Sequence, residues 1–84
     1  MIGFDEAFMY GKHIFGDALD HVTENDTGWV LFMDKNNKSL GEEQTWDEFE
    51  NTWNMTKELD PGFVKFINVK KNWPKHARSN HDNI

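Results

Sequence analysis

The chain has no cysteine, two prolines, one tyrosine, two serines and no long apolar run. Without cysteine there is no disulfide framework, no thiolate nucleophile and no zinc knuckle. A membrane-spanning helix needs roughly 18 or more consecutive apolar residues, and no stretch approaches that. The opening Met1-Ile2-Gly3-Phe4-Asp5-Glu6 carries acid where a secretory signal has Lys or Arg, so a cytoplasmic location is expected. Neither Ser39 nor Ser79 lies in a Gly-x-Ser-x-Gly setting, the motif that exposes a serine nucleophile. The six glycines are dispersed, with no phosphate-cradling loop. A chain of 84 residues has little room for a water-excluding pocket of the usual ~300–1,000 Å³. The expectation is a protein that is not an enzyme and carries no cofactor.

What the chain does have is rings and acid. Seven Phe, four Trp and one Tyr dominate a hydrophobic content of 37%. Each large ring buries about 150–250 Å², so one small core is within reach even though a domain this size buries only about 60–65% of its unfolded surface. The net charge of −6 hides an asymmetry. Residues 1–60 hold fourteen Asp and Glu against four Lys, a charge of −10, whereas residues 61–84 hold five Lys and Arg against Asp82, a charge of +4. The organisation expected is one acidic globular domain over residues 1–69 and a basic, loose C-terminal tail over residues 70–84.

Apolar residues at Phe4, Ala7, Phe8, Gly11, Ile14, Phe15, Ala18, Leu19 and Val22 follow the i, i+3, i+4, i+7 stripe of an amphipathic helix. That stripe predicts a helix over 4–22, with a break near Gly16 as the competing reading. After the turn cluster Asn25-Asp26-Thr27-Gly28, the run Trp29-Val30-Leu31-Phe32-Met33 reads as a buried strand. Asn36-Asn37 supplies a hairpin turn, and a short partner strand is expected around Lys38 to Leu40. Thr45-Trp46-Asp47-Glu48 is a capping box that opens a second helix. Trp46, Phe49 and Trp53 share one face of it, and Asp60-Pro61-Gly62 stops it. Phe63-Val64-Lys65-Phe66-Ile67-Asn68-Val69 reads as a strand from its β-branched and aromatic content, with its facing open. The fold class expected is therefore α+β, two helices on a short, mostly antiparallel sheet.

Three constellations bear on function. On a continuous first helix, His13, Asp17 and His21 would stand at i, i+4 and i+8, ligand types that suit a divalent metal; a solvated polar face is the better account, and no metal site is assigned. Asp34-Lys35-Asn36-Asn37-Lys38-Ser39 has Lys at the fifth position and Ser at the sixth, where a calcium loop needs an oxygen ligand and Gly. Glu42, Glu43, Asp47, Glu48 and Glu50 surround Trp46, Phe49 and Trp53, and Asp17, Asp20 and Glu24 extend the negative surface. Such a surface attracts basic protein faces and repels nucleic acid, and an acidic ridge can imitate a phosphate array.

In length, missing cysteine, aromatic and asparagine richness and acidity, residues 1–60 are similar to small phage-encoded proteins that bind and inhibit host factors. That similarity is one of composition and rests on no motif. It implies a protein-binding inhibitor whose acidic residues occupy a basic, nucleic-acid-binding site on a partner. Two alternatives come from other classes. Lys70, Lys71, Trp73, Lys75 and Arg78 interleave cations with a ring, the pattern that suits single-stranded nucleic acid. Self-assembly through aromatic residues is the other, and a membrane partner is not expected.

Overall fold

The computed structural model describes residues 2–69. In chain order they form α1 (Phe4–Phe15), a 3-10 turn (Gly16–Ala18), β1 (His21–Glu24), β2 (Trp29–Met33), β3 (Gln44–Thr45), α2 (Trp46–Leu59) and α3 (Pro61–Val69). The sheet is antiparallel in the order β1-β2-β3, so the fold is α+β, with three helices. The reading of residues 70–84 as a tail lies outside the described residues.

α1 begins where the Glu6 carboxylate accepts from the Gly3 N–H at 2.8 Å. It does not reach Val22. Gly16 sits at φ 61 and ψ −137, a conformation that a side chain strongly disfavours, and its N–H closes the helix on the Lys12 carbonyl. The chain then enters β1, and Val22 pairs with Phe32 across the ladder. Leu19 and Val22 are buried as the helical stripe requires, but they arrive there from an extended backbone. Ile14, on the same stripe, is 48% exposed.

β2 spans the expected residues. Its partner near Lys38–Leu40 is only a bridge between Met33 and Ser39. Gly41 turns aside at φ 68, and regular pairing resumes with Trp29 opposite Thr45 and Val30 opposite Gln44. The Asp34 carboxylate staples the intervening turn by accepting from the Asn36 and Lys38 N–H groups at 2.8 and 2.9 Å. Asn37 takes the left-handed conformation there, at φ 62.

α2 opens on the capping box. Thr45 Oγ1 accepts from the Glu48 N–H, and the Glu48 carboxylate accepts from the Thr45 N–H, each at 3.1 Å. The expected strand at Phe63–Val69 is instead α3. Pro61 occupies the first helical position, where its missing N–H costs nothing, and the Asp60 carboxylate accepts from the Phe63 N–H at 3.2 Å. With Phe63 buried and Phe66 and Ile67 half-buried, the contact pattern is i, i+3, i+4. Packing overrides the local β preference of these residues.

The core lies between the helices and one face of the sheet. Val22, Val30, Phe32, Phe49 and Phe63 are buried. Tyr10 ties them together, with its ring centroid 5.5 Å from Phe49, 5.9 Å from Phe32 and 6.1 Å from Phe63. Burial raises the pKa of its phenol. No helix among the described residues is long and apolar enough to cross a membrane.

Candidate partner-binding surface

All eight acidic residues singled out above are exposed: Asp17, Asp20, Glu24, Glu42, Glu43, Asp47, Glu48 and Glu50. The fold sorts them into two groups. Asp17 lies in the 3-10 turn and Asp20 just before β1, whereas Glu24 ends β1, four residues beyond Asp20 and about 13 Å along an extended chain. Glu24 instead meets the start of α2, where its carboxylate accepts from the Trp46 indole N–H at 3.3 Å. Glu43 accepts from the Asn25 side chain at 3.4 Å. The β1–β2 turn is thereby tethered to the segment that carries Glu42 and leads into α2, the helix of Asp47, Glu48 and Glu50.

Trp46 is the pivot of this group. Its ring meets Phe4 edge-on at 5.1 Å and Phe49 at 6.2 Å, which leaves it half-buried with its indole N–H turned toward Glu24. Carboxylates at the first turn of α2 also complement the positive end of the helix dipole. Glu48 serves two roles, since its carboxylate closes the cap on Thr45 while remaining exposed. Asp47 and Glu50 have no such structural task among the described residues.

Two lysines of the body make contacts elsewhere. Lys12 donates to the Leu19 carbonyl at 3.0 Å and stands 5.7 Å from the Phe8 ring centroid, and Lys57 lies 5.8 Å from that of Trp53. The ion pairs formed among the described residues both use histidine: His13 with Asp60 at 3.0 Å and His21 with Asp20 at 2.8 Å. Glu24, Glu42, Glu43, Asp47, Glu48 and Glu50 thus form a negative region that no described lysine neutralises.

The end of α1 at Phe15 dismantles the His13, Asp17 and His21 stack. His13 remains on the helix, Asp17 is in the 3-10 turn and His21 is on β1. No group of three or more metal-ligating side chains occurs among the described residues. Asp34 has its pKa lowered chiefly by the Lys38 backbone hydrogen bond, so its charge holds a turn together. Lys70, Lys71, Trp73, Lys75 and Arg78 lie outside the described residues.

Two features of this surface have no local signal in the sequence. One is the contact of Glu24 with Trp46, residues 22 positions apart, which no local pattern signals. The other is the outward side of β2, because a continuous apolar run reads as buried on both faces. No protein family, curated protein or solved structure matches the chain.

Proposed function

We propose that the protein is a stoichiometric binding module whose acidic surface meets a basic site on a partner protein. The supporting observation is the gathering of Glu24, Glu42, Glu43, Asp47, Glu48 and Glu50 around the half-buried Trp46 without a neutralising lysine among the described residues. Charge of one sign over such an area speeds encounter with an oppositely charged face and sets orientation. In its sharpest form the module is an inhibitor that covers a nucleic-acid-binding site, its carboxylates standing where phosphates would.

The test begins with affinity capture by the intact protein from nuclease-treated bacterial lysate, washed at low and then high salt. The captured partner is then titrated against single variants. Asp47→Lys and Glu50→Lys suit this better than Glu48→Lys, which also breaks the cap on Thr45. Each is expected to weaken binding and to flatten its salt dependence. A partner whose affinity ignores both changes overturns the proposal. Loss of every captured protein on nuclease treatment would transfer the function to nucleic acid and the basic segment.

A further inference from the structure

We draw no further inference here: the strongest candidate, the outward face of β2 formed by the half-buried Trp29, Leu31 and Met33, carries nothing because nothing in the structure shows what covers it.

Discussion

Trp29, Val30, Leu31, Phe32 and Met33 are five successive apolar residues, and their two sides live in different surroundings. On the inner side, Phe32 is closed in by Tyr10, Phe15 and Phe49 at ring separations of 5.9, 5.7 and 6.1 Å, and Val30 is fully buried. On the outer side, Trp29, Leu31 and Met33 keep contact with water. One apolar run thus serves two surroundings, one face holding the fold together and the other half-buried among the described residues.

The largest test of that contrast is a pair of truncations. Phe32→Ala should cost about 3–5 kcal/mol, the range for emptying a buried aromatic site, whereas Leu31→Ala should cost about 1 kcal/mol; denaturant midpoints measure both. Equal losses would mean that the outer side is structural after all. Next comes pressure on the inner side from α1. A Cβ on Gly11 would lie 2.8 Å from Leu19 Cδ2 and 2.9 Å from Phe32 Cδ1. Overpacking of about 1–3 kcal/mol should outweigh the gain of about 1 kcal/mol in helix propensity, so Gly11→Ala should lower the thermal midpoint.

Thr45 sharpens the comparison from the outer side, since its importance to stability lies in the cap. Thr45→Ala should cost about 1 kcal/mol, and Thr45→Ser should restore most of it in the same melt. The smallest effect is expected away from both faces. Asp60 has its pKa lowered, first by the hydrogen bond from His13 and then by the Phe63 N–H. A carboxylate depressed in the folded state adds stability above its unfolded pKa of about 3.9, and this is lost as pH falls through the folded value. Asp60→Asn should therefore flatten the acid limb of the stability profile below about pH 4. Because Asp60 is 46% exposed, added salt should shrink the difference.

What was legible in the sequence follows from where local chemistry and packing agree. The capping box of α2 is written in four adjacent residues and forms as expected. β2 is bounded by turn residues that do what their side chains favour. β1 was hidden because Leu19 and Val22 fit a helical stripe equally well, and only the backbone at Gly16 decides between the alternatives. α3 was hidden because Phe63, Val64, Phe66 and Ile67 favour a pleated surface, yet Pro61 and Asp60 start a helix and Trp53 receives Phe63 edge-on at 5.1 Å. For the surface, acidity was legible residue by residue. Its sorting into two groups was not, since it depends on Glu24 meeting Trp46 across the fold.

Asp60 is a single-residue joint. Its N–H closes α2 on the Thr56 carbonyl, its carboxylate caps α3, and the same carboxylate holds His13 of α1. Neither helix can fray at this corner without disturbing the end of the other. In the currency of hydrogen exchange, amides on both sides of the joint should open together rather than one helix at a time, making the second half of the described chain one cooperative unit. The described domain then has few partly open forms, and within it a protease meets chiefly the closed fold or the unfolded segment.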